Sequence, residues 1–188
     1  MTFSSKMINA ASIVAFTAMT LVAGAASAAE AGTWTGRVVD PTGKIPGHST
    51  HFKLQIDDTT SDAEARELMA LLEQDEEQFE DRLEDLDRGY IQIGSGLAQD
   101  IAIARVIDNG DGSQTVRVVL DRPMAMGEHI HNTRSTDYPY SVLQFEVDAE
   151  GKGEGKMVMA ADLGADDGEL EIKNLSRRPF ELMNIQTR

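Results

Sequence analysis

Apolar and polar residues alternate at every second position along several short segments of this chain. The pattern is clear in residues 52–56, 143–147 and 170–173, and it places one set of side chains on a core face and the other toward water. Six further segments have the composition of strands: 34–39, 90–93, 101–107, 115–120, 156–162 and 180–185. The alternation therefore predicts about nine strands of antiparallel sheet.

Turn-forming residues separate several of these segments. Residues 108–112 (Asp-Asn-Gly-Asp-Gly), 148–151 (Asp-Ala-Glu-Gly) and 166–168 (Asp-Asp-Gly) all contain residues that tolerate a positive φ. We therefore expect a hairpin at each turn. The four strands between residues 140 and 188 are accordingly predicted to form a meander.

One stretch, residues 61–88, interrupts the strand pattern and is rich in Glu, Leu, Ala and Gln. Ser61 and Glu64 have the spacing of a capping box, and Gly89 follows as a stop signal. Apolar stripes lie on either side of residues 74–78, which contain no apolar residue. The stretch is therefore predicted to form two helices in a hairpin, with an acidic, solvated outer face on the second half.

The N-terminal residues 1–28 have the layout of a cleavable signal peptide. Lys6 gives a positive start, residues 10–23 an apolar segment, and Ala26-Ser27-Ala28 a cleavage site of small residues. The chain contains no cysteine that could carry a lipid or form a disulfide. We expect residues 29–188 to act as one free domain in the periplasm or outside the cell, with no transmembrane segment after cleavage.

These patterns together predict the fold class. The protein is expected to be α+β but mainly β, with an antiparallel barrel or sandwich of about nine strands. The helical hairpin is inserted between strands 2 and 3. The sequence leaves the choice between barrel and sandwich open, and the oligomeric state as well.

The net charge restricts the classes of partner. It is −15 for the whole chain and becomes more negative by one unit when Lys6 is removed with the signal peptide. Nucleic acid and anionic membrane surfaces are held mainly by clustered Lys and Arg, so the sequence argues against both. A divalent cation or a basic partner is compatible with this charge.

The long segment 122–140 lacks any periodicity and is predicted to carry whatever site the protein has. His129 and His131 stand two residues apart, so on an extended backbone both rings could ligate one metal ion. His48 and His51 could complete a set of four nitrogen ligands. The alternative is that all four histidines are exposed and bind nothing; no cofactor is predicted, and a divalent metal is the one candidate.

Arg134, Asp137 and Tyr138 lie close together in the same segment. A guanidinium, a carboxylate and a phenol can hold a small polar ligand, or they can lock the loop in place. Ser135 beside His131 and Asp137 supplies the residue types of a hydrolytic triad. No complete catalytic motif is found in the sequence.

Two stretches carry a family resemblance: residues 134–140 (Arg-Ser-Thr-Asp-Tyr-Pro-Tyr) and 148–156 (Asp-Ala-Glu-Gly-Lys-Gly-Glu-Gly-Lys). They resemble an uncharacterised family of exported bacterial proteins, and the resemblance extends to the order of elements in 52–83 and to Asp-Arg-Pro at 121–123. The family's helical stretch has a glycine where this chain has Gln74 and Asp75, and its pattern lacks the histidine pair. The resemblance implies no activity, but it implies a role for the matching loop residues Glu128, Arg134, Asp137 and Tyr138.

The sequence therefore favours a non-catalytic binding or interaction module of the cell envelope that uses the 122–140 loop. Its partner would be a small ligand or another envelope protein. A metal-dependent or hydrolytic enzyme using the His, Asp and Ser residues of the loop is the alternative.

Overall fold

The computed structural model describes residues 31–42, 49–124, 138–166, 169–175 and 178–188. Two helices, α1 (Asp62–Gln74) and α2 (Glu76–Glu84), lie between the second and third strands. In chain order the described strands are β1 (Gly32–Val39), β2 (Ser49–Ile56), β3 (Gly89–Ile93), β4 (Gln99–Asp100), β5 (Ile103–Asp108), β6 (Gln114–Leu120), β7 (Tyr140–Val147), β8 (Lys152–Asp166), β9 (Glu169–Leu175) and β10 (Phe180–Thr187).

These strands form a single antiparallel sheet. Nine of them follow one another in the order β4-β3-β2-β1-β10-β8-β7-β6-β5, and β9 pairs with the far half of β8. The sheet curls into a half-barrel. The predicted mainly β, antiparallel fold with a helical hairpin between strands 2 and 3 is confirmed.

The two ends of the curled sheet meet at Ile101. Its backbone N–H donates to the carbonyl of Gly89 at 2.9 Å, and its carbonyl accepts from the N–H of Arg88 at 2.8 Å. The next residue, Ala102, donates to Val119 on β6 at 3.0 Å. The short connection between β4 and β5 therefore satisfies backbone groups near one end of the sheet, at Arg88 and β3, and near the other end, at β6.

The concave face of the sheet holds one apolar core. Trp34 on β1 packs edge to face against Phe145 on β7, with ring centroids 5.9 Å apart, and buried aliphatic residues of β2, β5, β6 and β10 surround them. The inward-facing set on β2 consists of Phe52, Leu54 and Ile56. The two-residue alternation thus separates core from surface as the sequence predicts.

The convex face is covered by the helices over one half only. Apolar residues of α1 and α2 pack on a row that crosses the sheet through Ile103, Val119, Val142 and Val158. On the other half of the convex face, β10, β1, β2 and β3 have no helix above them among the described residues. One half of the convex face is therefore buried under the helices, and the other half is open among the described residues.

Asp75 separates the two helices. It is the C-cap of α1 and the N-cap of α2, and its carboxylate accepts from the N–H of Gln78 at 3.1 Å. Hydrogen bonds from the backbone and side chain of Gln78 lower the pKa of this carboxyl group. The predicted helix break within 74–78 is thus confirmed and has a local cause.

The predicted capping box is only half formed. Ser61 accepts from the N–H of Glu64 at 3.2 Å, but the Glu64 carboxylate binds the guanidinium of Arg88 instead of returning to the start of the helix. Gly89 is not the helix stop either, because α2 ends at Glu84. Gly89 has a φ of 125° and approaches Gln55 of β2 so closely that a Cβ would lie 2.1 Å from its carbonyl oxygen.

The prediction of a meander over residues 140–188 is wrong in its last step. β9 pairs with the second half of β8, while β10 pairs with the first half of β8 and with β1. The 15-residue length of β8 gives both partners room along it. The hairpins at 108–112 and 148–151 are confirmed by the β5–β6 and β7–β8 pairs.

The predicted signal peptide, residues 1–28, lies outside the described residues. None of the helices in the described ranges is both long and apolar enough to cross a membrane.

Candidate functional site

Most of the site predicted from the sequence lies outside the described residues. This holds for Glu128, His129, His131, Arg134 and Asp137, and for Ser135 and His48 as well. Of the predicted binding residues, Tyr138 is described, and it is half-buried just before β7. These assignments stay predictions.

Both ends of the 122–140 segment are attached to the sheet by Ser141. The fully buried Ser141 hydroxyl contacts the carbonyls of Arg122 at 3.0 Å and Met159 at 2.8 Å, and it accepts from the N–H of Met124 at 2.7 Å. Met124 is itself buried in the concave core. The entry and the exit of the segment are therefore held side by side.

Tyr140 holds the exit of the same segment against α2. Its ring packs edge to face on Phe79 at a centroid distance of 5.7 Å, and its hydroxyl lies 3.5 Å from a carboxylate oxygen of Glu80. Burial raises the pKa of the Tyr140 phenol, and the charges of Glu80 and Glu76 add to the effect. Tyr140 thus has a packing role.

A separate feature stands out on the open half of the convex face. Here β10, β1, β2 and β3 form a groove of about 430 Å³, which we call the basic groove. It is lined by Thr35, Gly36, Arg37, His51, Phe52, Lys53, Gln92, Gly94, Asn184, Gln186 and Arg188. Strands from both ends of the described chain thus contribute to it.

The strand register sets the spacing of its cationic side chains. Arg37 lies directly opposite His51 across the β1–β2 ladder, and Lys53 lies opposite Thr35 two positions along. Directly opposed side chains on a pair of strands have Cβ atoms about 5 Å apart, and diagonal neighbours about 7–8 Å apart. Arg37, His51 and Lys53 therefore share one small area of the convex face.

Hydrogen bonds hold these cations in place. Arg37 donates from Nε to the Ser49 hydroxyl at 2.6 Å, and Arg188 donates from Nε to the Thr35 hydroxyl at 3.4 Å. Lys53 lies 5.0 Å above the centre of the Tyr90 ring and donates to Gln55 at 3.2 Å. The cationic groups of the groove are thus positioned by neutral hydrogen-bond partners.

The charge of the groove is opposite to that of the chain. None of the described residues lining it is an aspartate or glutamate, although the chain has 32 acidic residues against 17 basic ones. Arginine, lysine and amide side chains around a concavity are the groups that hold phosphate and carboxylate anions. The arrangement can therefore bind an anion.

A second groove, of about 440 Å³, lies over β7 and β8 and has mixed charge. Lys152 and Lys156 line it together with Glu146, Asp148 and Glu154. Because acids accompany its cations, it offers no comparable concentration of one charge.

Metal ligands do not converge in the described part of the chain. No group of three or more His, Asp or Glu side chains there is placed to hold a metal ion. His51 is exposed on β2, next to Arg37. The metal prediction for His129 and His131 is not tested by this observation.

Sequence reasoning missed Arg37, Lys53 and Arg188 as site residues. Arg37 and Lys53 occupy outward positions of alternating strands, and neither strand has an acid at such a position. That pattern was available from the sequence. The pairing of β1 with β2 and β10, which brings the cations together, was not.

No protein-family model, curated protein or solved structure matches this chain. The resemblance to exported bacterial proteins carried by residues 134–140 and 148–156 stays a prediction.

Proposed function

We propose that the mature chain is an exported, non-catalytic binding module of the cell envelope, and that the basic groove recognises an anionic ligand. The export half of the proposal is supported by the signal-peptide pattern of residues 1–28. The binding half is supported by the basic groove. The segment 122–140 remains a second candidate contact surface.

The observation that carries the binding proposal is a group of cations without acids on a strongly acidic protein. Arg37, Lys53 and Arg188 surround a concavity of about 430 Å³, and their hydrogen-bond partners there are neutral. Like charges on neighbouring strands repel each other unless a counter-charge lies between them. An anion bound in the groove would remove this repulsion.

The ligand class follows from the donors. Two guanidinium groups can each form paired hydrogen bonds with a phosphate or carboxylate, while Lys53 adds a point charge. The amides of Gln92, Asn184 and Gln186 supply further donors around the same groove. A ligand with two or more phosphate or carboxylate groups fits this set best.

Titration of the purified, isotope-labelled protein with inorganic pyrophosphate tests the binding proposal. We expect chemical-shift changes at backbone amides of β1, β2 and β10, with the largest near Arg37 and Lys53. The double variant R37Q/K53Q should weaken binding at least tenfold, since a charged hydrogen bond contributes about 1.5–3 kcal/mol. Shifts spread evenly over the surface, or none, would contradict the proposal.

A matched control is provided by the second groove. The variant K152Q/K156Q removes the same number of positive charges from β8 and changes the net charge equally. It should bind pyrophosphate as the unmodified protein does. Equal weakening in both double variants would show that only the overall charge matters.

Export is tested separately by mass spectrometry of the protein recovered from the envelope fraction of its own cells. We expect a mature chain that begins at Ala29. Recovery of the uncleaved chain in the cytoplasm would refute this half. The enzyme alternative rests on His129, His131, Ser135 and Asp137, and it stays a prediction from the sequence.

A further inference from the structure

Two large apolar side chains are exposed on the described part of the molecule. Leu97 has 91% of its surface exposed, and Met183 has 38%. Exposed apolar residues are common singly and need no explanation. Their position relative to the basic groove is the informative point.

Met183 and Leu97 are next to residues associated with the two outer strands of the groove, β10 and β3. Met183 on β10 lies directly opposite Arg37 on β1. Leu97 follows Gly96, whose carbonyl accepts from the side chain of the groove residue Gln92 at 2.9 Å. The cations of the groove therefore lie between two apolar flanks.

Local backbone geometry contributes to the exposure of Met183. Its neighbour Asn184 has a φ of 52°, in the left-handed region, and the ladder between β10 and β8 shifts register between Leu182 and Ile185. Such a bulge adds a residue to one strand and redirects its side chains. The irregular stretch of β10 is thus part of the groove rim.

Charge is distributed unevenly over the convex face. On the covered half of that face, α2 and its C-cap carry six exposed acids: Glu76, Glu77, Glu80, Asp81, Glu84 and Asp85. The open half carries the basic groove. An anionic surface would attract the groove and repel α2, so it favours orientations in which the groove is nearer to it than α2 is.

We propose that the open half of the convex face, which carries the basic groove, docks on an anionic phospholipid surface. Lipid phosphates occupy the basic groove at Arg37, Lys53 and Arg188, while Leu97 and Met183 enter the boundary between headgroups and acyl chains. This inference rests on the proposed anion-binding function and names the source of the anion. The net charge of the whole chain predicts repulsion from an anionic membrane, whereas the local positive charge of the basic groove predicts attraction.

A second copy of this chain is the other occupant whose charge would suit the groove. The combination of cations with neighbouring exposed apolar side chains favours a lipid surface over it. The acidic face of α2 would complement the groove, but it has exposed acids and no large exposed apolar residue to meet Leu97 and Met183. A lipid surface satisfies both features together. Self-association is therefore the competing outcome of the test.

Co-sedimentation of the purified protein with vesicles tests the proposal. One set contains phosphatidylcholine with about one third phosphatidylglycerol, and the other phosphatidylcholine alone. We expect salt-sensitive binding to the first set only. Each cation near an anionic surface contributes about fivefold, so R37Q/K53Q should bind roughly 25-fold more weakly.

Two further variants separate the contributions. Leu97→Ser leaves every charge in place and should weaken vesicle binding several-fold without changing the shifts caused by pyrophosphate. K152Q/K156Q, matched in net charge to R37Q/K53Q, should retain binding to anionic vesicles. Light scattering of the free protein checks for self-association.

The outcomes are distinct. Pyrophosphate shifts in the groove without vesicle binding would overturn the membrane proposal and leave the proposed anion-binding function intact. Absence of both would overturn the two together. A dimer abolished by R37Q/K53Q, or equal loss of vesicle binding in both double variants, would also refute the membrane proposal.

Discussion

Arg88 donates to both carboxylate oxygens of Glu64, at 2.5 and 2.6 Å. Glu64 lies in the first turn of α1, and Arg88 lies between α2 and β3. The same guanidinium binds Asp58, and the backbone of Arg88 bonds to Asp57 and Ile101. This one residue thus connects the helical pair to the end of β2 and to the connection between β4 and β5.

Arg88→Met should therefore destabilise the protein substantially. The side chains of Arg88 and Glu64 are 15% and 19% exposed, so the variant leaves a largely buried carboxylate without its main partner. We expect a loss of about 2–4 kcal/mol in the free energy of unfolding, measured with urea. The matched control is Arg82→Gln, since Arg82 lies 3.8 Å from the same carboxylate and is 39% exposed. A cost above about 1 kcal/mol for the control would contradict this distinction.

Ser141→Ala removes the hydroxyl that attaches both ends of the 122–140 segment. The carbonyl of Arg122 loses its bond to this hydroxyl, while the N–H of Met124 keeps the carbonyl of Met159 at 2.8 Å. We expect a loss of about 1–3 kcal/mol, together with faster hydrogen exchange at Met124. The exposed Ser95→Ala should do neither, and unchanged exchange at Met124 would argue against the attachment.

Gly155→Ala should be among the most damaging single substitutions in the sheet. A Cβ at this position would lie 2.2 Å from the carbonyl oxygen of Gln144 and 2.4 Å from the Cβ of Phe145. Backbone atoms of β7 cannot move aside, so we expect a loss of about 3 kcal/mol or more. Gly110→Ala is the comparison, because nothing lies within 4 Å and only its φ of 81° opposes a side chain. It should cost only about 1–2 kcal/mol.

Tyr140 gives the protein a specific sensitivity to alkaline pH. Its folded-state pKa is raised by burial, whereas in the unfolded chain the phenol ionises near pH 10. The stability that comes from the protonated phenol is therefore fully present below about pH 10 and is lost as the pH rises above it.

The variant Tyr140→Phe cannot ionise at this position. Relative to the unmodified protein it should gain up to about 1.4 kcal/mol per pH unit above pH 10. At pH 7 it should cost less than about 1 kcal/mol, since the hydroxyl contact with Glu80 is long at 3.5 Å. Parallel unfolding free energies of the two proteins between pH 8 and 11 would contradict the prediction.

Much of the fold could be predicted because it depends on local patterns. Phe52, Leu54 and Ile56 alternate with polar residues and face the core, and Asp75 breaks the helical stretch within the apolar gap of 74–78. The hydrogen-bond partner of a polar side chain was harder to predict from the sequence. Glu64 has the spacing of a capping box, but a buried Arg88 competes for its carboxylate more strongly than an exposed backbone N–H does.

The candidate site could not be predicted because it depends on which strands are neighbours. Nothing near Arg37 in the sequence indicates that it lies opposite both His51 and Met183. Sequence alone points to segments where histidines, acids and an arginine are close together along the chain, such as 122–140. The cations of the basic groove instead come from β1, β2 and the residue that follows β10.

The pairing of β1 with β10 has a consequence for how the chain acquires its structure. Thr35 and Arg188, which are hydrogen-bonded, are 153 residues apart. Contacts of such sequence separation form slowly, because the entropy of closing a long loop must be overcome first. Until β10 is in place, the edges of β1 and β8 are both exposed to other chains. The export proposed for this chain would require passage through a membrane in an unfolded state, and a topology that closes only when both distant strands are present would make that passage easier.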